Sequence, residues 1–336
     1  MSILITGGAG FIGAALGERL LQDGEQIYAV DNLNDYYEVS LKRARLKRLL
    51  DYEEFEFAQI DISDRSSIET LFKEHHFDVV VNLAAQAGVR YSLENPAAYI
   101  DANLVGFGNI LEGCRQSQVG HLVYASSSSV YGGNTQLPFS EDHSVDHPVS
   151  LYAATKKANE MMAHSYAHLY DLPCTGLRFF TVYGPWGRPD MAFFKFTRMM
   201  LAGEPIPVYN QGQLTRDFTY IDDIVEGVVR SIYMPAVASY QFDPSNPSPA
   251  ISSAPFRLLN IGNGERVQLM DYIQTLEQCL EIDAKYDMLP MQDGDVMATH
   301  ANVDRLRALT GYKPSTDIRT GLTLFCDWYR EYYGIK

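Results

Sequence analysis

The sequence predicts an α/β protein, namely a doubly wound parallel sheet with a smaller, partly interleaved C-terminal α/β lobe. Short β-branched runs alternate with helical patterns through the first half of the chain. This alternation is typical of a parallel sheet that is covered by helices on both faces. A glycine-rich turn follows the first such run and opens a helical pattern, as in dinucleotide-binding βα units. Both observations favour a nucleotide-binding core.

The alternation gives six strands, most of them separated by helical stretches. The predicted strands cover residues 3–5, 26–30, 56–60, 79–83, 121–125 and 174–178. The first helix is expected from Phe11 to about Gly24. Beyond residue 180 the alternation weakens and Gly, Pro and aromatic residues become frequent, which marks loops. We therefore predict a Rossmann-type domain over residues 1–180, to which some later segments return, and a second lobe over residues 181–336.

The composition excludes several classes of protein. The 336-residue chain is 46% hydrophobic and has a net charge of −15, so it has no broad basic face and no nucleic-acid partner is expected. No apolar run reaches the length of about 18 residues that a membrane span needs. No leader with a long apolar stretch is visible, so no signal peptide is predicted. The four cysteines lack CxxC spacing, which suits a reducing compartment. We expect a cytoplasmic protein.

The first candidate site is the glycine loop after the first strand. The stretch ITGGAGFIGAAL places Gly7, Gly10 and Gly13 between a strand and a helix, a variant of the Rossmann fingerprint. Glycine at these positions permits a tight turn, close approach of the backbone to a pyrophosphate, and close packing of helix on strand. The pyrophosphate would then lie at the positive end of the helix, near Phe11 and Ile12. The pattern predicts a bound dinucleotide.

A carboxylate at the end of the second strand favours NAD as that dinucleotide. Asp31 follows Gly13 by 18 positions, where an acidic side chain can accept hydrogen bonds from a ribose diol. It would also repel the 2′-phosphate of NADP. We assign the neighbouring Asn32 to the cofactor site as well. Asp61 and Ile62, just after the third strand, are expected to border the adenine.

The stretch LYAATKKANE supplies the predicted catalytic pair. Tyr152 and Lys156 are four residues apart, a spacing that puts both side chains on one face of a helix. A free phenol has a pKa of about 10, and a nearby ammonium lowers that pKa by stabilising the phenolate. Such a tyrosine can exchange a proton with a sugar hydroxyl while a hydride moves to nicotinamide.

Four consecutive serines, residues 126–129, end the fifth predicted strand. In an open α/β sheet, ligands bind beyond the carboxyl ends of the strands, so these hydroxyl groups are expected beside the nicotinamide. Ser127 can hydrogen-bond the same sugar hydroxyl as Tyr152. Ser128 and Ser129 are assigned to the substrate site.

Other conspicuous stretches receive structural interpretations. His164 and His168 lie four apart, but no Glu follows the first of them, so no metal site is predicted there. The same holds for His143 and His147. The tyrosines of YYEVS and WYREYY are interpreted as surface or interface aromatics. Residues 235–255 contain five prolines and several serines and are expected to form a mobile surface loop.

The order of these motifs resembles that of the extended short-chain dehydrogenases/reductases. The glycine loop, Asp31, NLAAQAGV, the serine run with VYG, and Tyr152 with Lys156 occur in that order. The stretches RFFTVYGPWGRPDMA and LTRDFTYIDDIVEG resemble the nucleotide-sugar epimerases of this superfamily. Within that group, GPWGRPDM and LPMQDGDV most resemble the UDP-glucuronate 4-epimerases. The likeness covers nearly the whole chain.

The resemblance implies an isomerase, an NAD-dependent UDP-sugar 4-epimerase that retains tightly bound NAD between turnovers. Its substrates would be UDP-glucuronate and UDP-galacturonate, interconverted through a transient 4-keto sugar, with the second lobe binding the nucleotide sugar. Tyr152 would take the C4 hydroxyl proton, Ser127 would hold that oxygen, and Lys156 would also bond the nicotinamide ribose. The remaining implied residues are Leu83, Ala84 and Ala85 along the cofactor, Asn103 in support, and Thr181, Arg216 and Asp295 at the nucleotide sugar.

A carboxylate on C5 is what distinguishes the uronate from glucose, and it calls for a planar bidentate donor or a cluster of hydroxyls and amides. Arg188, in GPWGRPDM beyond the sixth strand, is the candidate donor, and Thr181 could add a hydroxyl.

Related dehydratases and decarboxylases carry Glu where this chain has Ser129, and the dehydratases carry Asp in place of Ser128. Elimination and decarboxylation are therefore not expected.

Two alternatives remain at this point. One is a UDP-glucose/UDP-galactose 4-epimerase, or an epimerase of broad UDP-sugar specificity. The other, of a different class, is a non-catalytic NAD-binding regulatory protein, against which the intact set of Tyr152, Lys156 and Ser127 argues. Helices near residues 97–117 and 152–169 resemble the four-helix dimer interface of the family, so a homodimer is expected.

Overall fold

The computed structural model describes residues 1–292 and 294–335. Its centre is a sheet of seven strands, and every strand pair within this sheet is parallel. The seven strands are β1 (Ser2–Thr6), β2 (Gln26–Asp31), β3 (Phe55–Gln59), β4 (Val79–Asn82), β5 (His121–Ser127), β6 (Cys174–Phe179) and β11 (Phe256–Ile261). Their order across the sheet is β11-β6-β5-β4-β1-β2-β3. The predicted α/β class with a doubly wound sheet is confirmed.

Helices lie along both faces of this sheet. They are α1 (Phe11–Gln22), α2 (Val39–Leu49), α3 (Arg65–Glu74), α4 (Tyr91–Glu94), α5 (Pro96–Tyr99), α6 (Phe107–Gln116), α7 (Leu151–Tyr170) and α9 (Ile221–Ile232). A π-helix, Ile100–Gly106, joins α5 to α6, and a 3-10 helix, Ser128–Tyr131, follows β5.

The inner strands β1, β4 and β5 are buried on both faces and mostly apolar, whereas the edge strand β3, FEFAQ, is partly exposed. In β1, Ile3 and Ile5 belong to one core together with residues of α1 and α9. Leu4, between them, belongs to a second core with residues of α3 and α6. Alternate side chains of each strand thus serve opposite layers.

The second half of the chain adds short strands and four helices. These are β7 (Thr181–Tyr183), α8 (Ala192–Leu201), β8 (Ile206–Val208), β9 (Thr215–Arg216), β10 (Phe218–Tyr220), β12 (Val267–Gln268), α10 (Leu269–Leu280), β13 (Tyr286–Met288), α11 (Asp304–Thr310) and α12 (Ile318–Tyr333). The strands pair two by two, β7 with β10, β9 with β12, and β8 with β13. The β7–β10 pair begins at the carboxyl end of β6, because β7 follows β6 after one residue.

One strand of the central sheet comes from far along the chain. β11 pairs with β6 over six residues, from Phe256 opposite Cys174 to Ile261 opposite Phe179. The six strands expected from the sequence are all present, and β11 is the seventh, which sequence reasoning did not identify. A division of the chain at residue 180 remains a prediction.

The proline-rich segment, residues 235–255, covers the outer edge of β11. The Leu258 N–H donates to the carbonyl of Ala250 over 2.9 Å, and Ile251 forms an antiparallel bridge with Arg257. Without this cover, the backbone groups at the edge of β11 would be open to pairing with another chain. The segment therefore has a structural role in protecting the sheet.

The helices and the cysteines show two further features. Within the described residues, no helix is both long enough and apolar enough to cross a bilayer. All four cysteines are free thiols, and three of them are buried.

A buried histidine at the start of β5 makes the fold sensitive to acid. His121 is 0% exposed. Its Nδ1–H donates to the Ile232 carbonyl of α9 over 3.1 Å, and its Nε2 accepts from the Thr175 hydroxyl over 2.9 Å. Burial lowers the pKa of His121 from 6.5 to about 4, because the charged ring would lie in the core.

We predict that the presence of His121 makes the free energy of unfolding decrease as the pH falls from 7 to 5. The pKa in the folded state lies below that in the unfolded chain, so unfolding takes up a proton and acid lowers the free energy of unfolding, by about 2 kcal/mol over this range. In His121→Gln this titration is absent, so the stability gap between wild type and variant should shrink on acidification. Urea unfolding at pH 7 and pH 5 measures it, with the exposed His147→Gln as control. A gap that stays constant would contradict the assignment.

Candidate active site

The carboxyl ends of four neighbouring parallel strands meet at one edge of the sheet. The strands are β1, β4, β5 and β6. The segments that leave them are the glycine loop (7–10), residues 83–90, the serine run (126–129) and residues 180–191. Ligands of open α/β sheets bind at this edge, so the sequence motifs converge where a site is expected.

Gly7, Gly10 and Gly13 are packed too closely for a side chain. Gly7 has a φ of +74°, and a Cβ there would lie 2.8 Å from the Ala84 backbone nitrogen. A Cβ on Gly13 would lie 2.2 Å from the Gly7 carbonyl oxygen, and one on Gly10 would lie 2.9 Å from it. All three predicted glycines are therefore required by the close contact of the loop with α1 and with the end of β4.

The start of α1 is suited to an anion. Its N-cap is Gly10, which provides no side-chain hydrogen bond. The N–H groups of the first turn, from Phe11, Ile12 and Gly13, thus keep their hydrogen-bonding capacity at the positive end of the helix dipole. These groups fit the pyrophosphate of a dinucleotide.

Asp31 lies at the end of β2 beside the glycine loop. Its carboxylate accepts hydrogen bonds from the Ala9 N–H, over 3.2 Å, and from the Leu33 N–H, over 2.8 Å. It is 9% exposed. The two backbone bonds fix its orientation and leave lone pairs for a ribose diol. Contact of Asp31 with an adenosine ribose remains a prediction.

The loops after β2 and β3 are joined by a side-chain hydrogen bond. Asn32 donates to Asp61 over 2.8 Å. Burial alone would raise the pKa of Asp61, but hydrogen bonds from Asn32 and Ser63 hold it below its usual value. Ile62 lies in the core against Gly106, so its side chain supports this turn from below and does not line a surface.

The residues after β4 line the other side of the glycine loop. The Leu83 N–H donates to the Thr6 carbonyl, and the Ala84 N–H donates to the Thr6 hydroxyl, each over 3.1 Å. Leu83, Ala84 and Ala85 are partly exposed. Their small or aliphatic side chains form a flat apolar surface beside Gly7. Such a surface suits contact with a planar cofactor ring.

The predicted catalytic pair lies at the start of α7. Ser150 caps this helix by accepting a hydrogen bond from the Ala153 N–H over 3.1 Å, which fixes the first turn. Lys156 donates from Nζ to the Ala125 carbonyl of β5 over 2.9 Å. Burial lowers the pKa of Lys156 to about 8. The ammonium is therefore held at the end of β5, one turn from Tyr152.

The phenol of Tyr152 faces the serine run and a second cation. Burial raises the pKa of Tyr152, while a hydrogen bond with Ser127 and the positive charge of Arg188 oppose that rise. Tyr99 packs edge-on against Tyr152, with ring centroids 6.1 Å apart. The tyrosine is thus enclosed by aromatic and polar groups that restrict its orientation.

The serine run makes a sharp turn at the end of β5. The Ser127 hydroxyl accepts from the Ser129 N–H over 3.1 Å and lies 3.2 Å from the Ser129 hydroxyl. Ser127 thereby caps the 3-10 helix that follows. Ser128 and Ser129 are partly exposed. The structure places Ser127 beside Tyr152, and the other two serines on the adjoining turn.

Asn103 supports the site rather than lining it. Its side chain is 2% exposed, lies in the π-helix, and exchanges hydrogen bonds with the backbone of Gln86 while also donating to the Thr155 hydroxyl. Asn159 donates to the Asn103 carbonyl over 2.6 Å. Asn103 therefore ties the loop after β4 to α7, and its own polar atoms are fully used.

A buried ion pair fixes α7 against the sheet. Glu160 accepts from Nε and Nη2 of Arg178 over 2.8 and 2.9 Å, and both side chains are 0% exposed. The Ser126 hydroxyl donates to the same carboxylate over 2.7 Å. Residues 152, 156 and 160 share one face of the helix, so this pair also determines where Tyr152 and Lys156 point.

Arg188 lies in the loop after β7, paired with an acid. Its Nε and Nη2 donate to the two oxygens of Asp190, and Tyr36 donates to Asp190 over 3.3 Å. Within the described residues, Nη1 of Arg188 has no hydrogen-bond partner. Thr181, in β7, is partly exposed on the same side. The guanidinium is thus held in one orientation with one end free.

A second cationic group lies beside the loop after β4, where Arg90 and Arg216 approach Asp295. Arg216 Nη2 is 3.9 Å from Asp295, and Arg90 Nη2 is 3.4 Å from the other oxygen of the same carboxylate. Arg216 also donates to the carbonyls of Thr215 and Met297. Two guanidinium groups around one carboxylate leave positive charge available to an anionic ligand.

The segment that carries Arg216 is held by its neighbour. The Asp217 carboxylate is 0% exposed and accepts from the backbone N–H groups of Asn263, Gly264 and Ala301 over 2.8 to 3.0 Å. This single side chain joins its own segment to two others, residues 263–264 and residue 301.

Sequence reasoning missed several residues of the site. Arg90, Tyr99 and Tyr36 contact its predicted members but follow no short motif. The tyrosines of YYEVS and WYREYY were interpreted as surface or interface aromatics, and Tyr36, which bonds Asp190, is partly exposed. In WYREYY, Trp328 is partly exposed and packs against Trp186, with ring centroids 5.2 Å apart, whereas Tyr329 is buried, which the interpretation did not predict.

No group of three or more potential metal ligands occurs among the residues that the structure describes. His164 hydrogen-bonds the Ser252 hydroxyl over 2.9 Å and stacks parallel to His168 with ring centroids 6.5 Å apart. This pair therefore has ordinary packing partners.

Fold and motifs together define an NAD-dependent enzyme of the extended short-chain dehydrogenase/reductase class. The chain belongs to the NAD dependent epimerase/dehydratase family, whose model matches residues 3–240. A protein of Rhizobium meliloti (strain 1021) described as a probable UDP-glucuronate 4-epimerase is 47% identical over 334 residues, covering 99% of this chain and 98% of the relative. The predicted family, its NAD dependence and the enzymatic class are confirmed.

Two solved structures show the same fold over the whole chain. A Bacillus cereus UDP-glucuronic acid 4-epimerase, in complex with UDP-glucuronic acid and NAD, has a TM-score of 0.88 at 31% identity, covering 99% of this chain and 100% of that one. A Thermotoga maritima UDP-glucose 4-epimerase with UDP-glucose has a TM-score of 0.85 at 28% identity, with the same coverage. The fold is therefore shared by epimerases of two sugar specificities.

We predict that Gly13→Ala weakens NAD binding at least about tenfold. The added methyl would lie 2.2 Å from the Gly7 carbonyl oxygen and push the glycine loop away from α1. The matched control is Gly17→Ala on the same helix, where the methyl meets Leu49 at an ordinary 3.4 Å. The NAD content of each purified protein measures the effect. A Gly13→Ala protein with a full complement of NAD would contradict this account of the loop.

Proposed function

We propose that the protein interconverts UDP-glucuronate and UDP-galacturonate by epimerisation at C4. The observation that carries this proposal is the guanidinium of Arg188, which Asp190 holds in one orientation through Nε and Nη2, and whose positive charge opposes the rise that burial causes in the pKa of Tyr152. A cation at that place suits a sugar that carries a carboxylate next to the reacting carbon. The relationship to described UDP-glucuronate 4-epimerases supports the same substrate.

The reaction requires a proton acceptor for the C4 hydroxyl. Tyr152 is the proposed base, and the Ser127 hydroxyl, which opposes the rise in the pKa of Tyr152, is proposed to hold the C4 oxygen. NAD, which the glycine loop and the start of α1 would hold, would supply a reversible acceptor for the C4 hydride, so that the 4-keto sugar could be reduced again on its opposite face. The proton then returns from Tyr152 to the C4 oxygen, so neither side chain is changed over the cycle.

Lys156 prepares the phenol for this role. Its ammonium is fixed on the Ala125 carbonyl, one helical turn from Tyr152. We assign to this ammonium a share in stabilising the phenolate, whereas the cation that opposes the rise in the pKa of Tyr152 in the structure is Arg188. The further contact of Lys156 with the nicotinamide ribose is part of the proposal, as are the cofactor roles of Asp31 and of the loop 83–85.

The uronate carboxylate would bind the free end of Arg188. Asp190 occupies Nε and one side of Nη2, which leaves Nη1 for the ligand, while Ser128, Ser129 and Thr181 offer hydroxyl groups. The ion pair with Asp190 prevents the guanidinium from rotating, so binding costs little side-chain entropy.

Arg216 and Arg90 are the proposed partners of the diphosphate. They flank Asp295, and the chain as a whole is acidic, so binding of a diphosphate must rely on such local cations. Asp295 keeps the two guanidinium groups apart and oriented before the ligand arrives.

We also propose a homodimer in the cytoplasm. Large apolar side chains are exposed on the π-helix and on α7, where Val105 is 43%, Met161 49% and Leu169 65% exposed. A self-complementary helical face of this kind is typical of twofold interfaces. The free cysteines and the NAD dependence suit a reducing compartment.

We predict that Tyr152→Phe lowers the epimerisation rate by about 100-fold or more, the range of general base catalysis, with UDP-glucuronate binding largely retained. Proton NMR of UDP-galacturonate formation and titration calorimetry measure the two effects. Tyr91→Phe removes a nearby phenol that bonds only Asn95 among the described residues and serves as control. Full activity in the Tyr152→Phe protein would remove the phenolate from the mechanism.

We predict that Arg188→Ala lowers kcat/KM for UDP-glucuronate about 10- to 100-fold more than for UDP-glucose, because it removes one charge-assisted bond to the carboxylate. Arg198→Ala, an exposed cation on the neighbouring α8, is the control. An unchanged ratio of the two specificity constants would exclude Arg188 from the carboxylate site. Wild-type protein that prefers UDP-glucose would instead favour the neutral-sugar epimerase suggested by the Thermotoga maritima neighbour.

A further inference from the structure

A buried guanidinium on α2 joins the glycine loop to the loop after β7. The Arg45 side chain is 0% exposed. It donates to the Ala9 carbonyl over 3.1 Å, to the Gly187 carbonyl over 2.9 Å, and twice to the Trp186 carbonyl over 3.0 and 2.6 Å. A fifth bond, over 2.8 Å, goes to the Tyr37 hydroxyl. These five bonds equal the full number of donors of the group.

All of these acceptors are uncharged. Arginine is rarely fully buried unless it is paired with an acid, and burial of a cation among neutral oxygens costs free energy that an apolar side chain would avoid. A contact made only to fill the core would therefore not need an arginine here. What the guanidinium provides is a rigid planar fork that reaches two separate loops at once.

The two loops belong to the two ligand sites. Ala9 directly precedes Gly10, the N-cap of α1 where the pyrophosphate is expected. Gly187 directly precedes Arg188. The residues just before α2 also hold the loop after β7, because Tyr36 donates to Asp190, the acid that orients Arg188.

We propose that Arg45 is a positioning residue that keeps the carboxylate-binding loop in register with the cofactor-binding loop. It holds both loops by backbone carbonyls and has no described contact with Tyr152, Lys156 or Ser127. Through it, the glycine loop that receives the pyrophosphate also sets the place of Arg188. The identity of the sugar rests on the function proposed above, whereas the link between the two loops does not.

The test compares Arg45→Met with Arg43→Met in the purified, NAD-containing protein. Both substitutions remove one positive charge from α2, but Arg43 is exposed. For Arg45→Met we expect hydrogen exchange at residues 184–191 to become at least about tenfold faster, the NAD content to fall, and KM for UDP-glucuronate to rise about tenfold with kcat changed less than about threefold. For Arg43→Met we expect no change in any of these.

Two milder variants keep the test decisive if Arg45→Met does not fold. Tyr37→Phe removes one acceptor, and Arg45→Lys keeps the charge but lacks the fork. Arg45→Lys should show the faster loop exchange and the raised KM, and Tyr37→Phe should show a smaller effect in the same direction. Wild-type loop exchange, NAD content and KM in folded Arg45→Met or Arg45→Lys would overturn the proposal.

The exchange and NAD readouts separate this proposal from the proposed function. If the wild-type protein does not act on UDP-glucuronate, the function fails, while loosening of residues 184–191 in Arg45→Met still supports the link between the loops. If the wild-type protein is active but only kcat falls in Arg45→Met, with loop exchange unchanged, Arg45 acts by another route and the positioning role is wrong.

Discussion

The ion pair between Glu160 of α7 and Arg178 of β6 is the contact on which the catalytic edge depends. It is completely buried, and its carboxylate also receives the hydroxyl of Ser126 from β5. Such a pair adds little net stability, but removing one partner costs roughly 3–5 kcal/mol because it strands a buried charge. Its value here is geometric, since one helix and two strands can satisfy it in only one rotation of α7. That rotation brings Tyr152 and Lys156 to the end of β5.

Much of the fold was predictable because its determinants are local. β1, β4 and most of β5 are short apolar runs, β2, β3 and β6 mix apolar with polar residues, and the glycine loop follows from spacing alone. β11 was not predicted, although FRLLNI has a strand-like composition. It follows a proline-rich segment and pairs with β6, about 80 residues earlier. No local pattern identifies a partner at that separation, because the pairing depends on the assembled sheet.

The candidate site also contains some residues that the sequence predicts and others that it does not. Tyr152, Lys156 and Ser127 were predictable because helical spacing and the end of a strand place them together. Arg45, Tyr36 and Arg90 were not, because their partners lie more than 100 residues away along the chain or belong to loop backbone. The family motif did indicate Arg188, but its pairing with Asp190 follows from the loop conformation and not from residue type.

The late arrival of β11 has a consequence for synthesis of the chain. When the ribosome has synthesised the chain only as far as β6, this strand, CTGLRF, forms an unpaired edge of the nascent sheet. All six of its residues are buried in the folded protein. Its edge stays open until residues 256–261 emerge, and the segment that in turn covers β11 precedes it directly. Exposed apolar edges are prone to association. Chaperone protection of the growing chain would matter most while these roughly 80 residues are being synthesised. At common translation rates of about 5–20 residues per second, this interval lasts roughly 4–16 seconds.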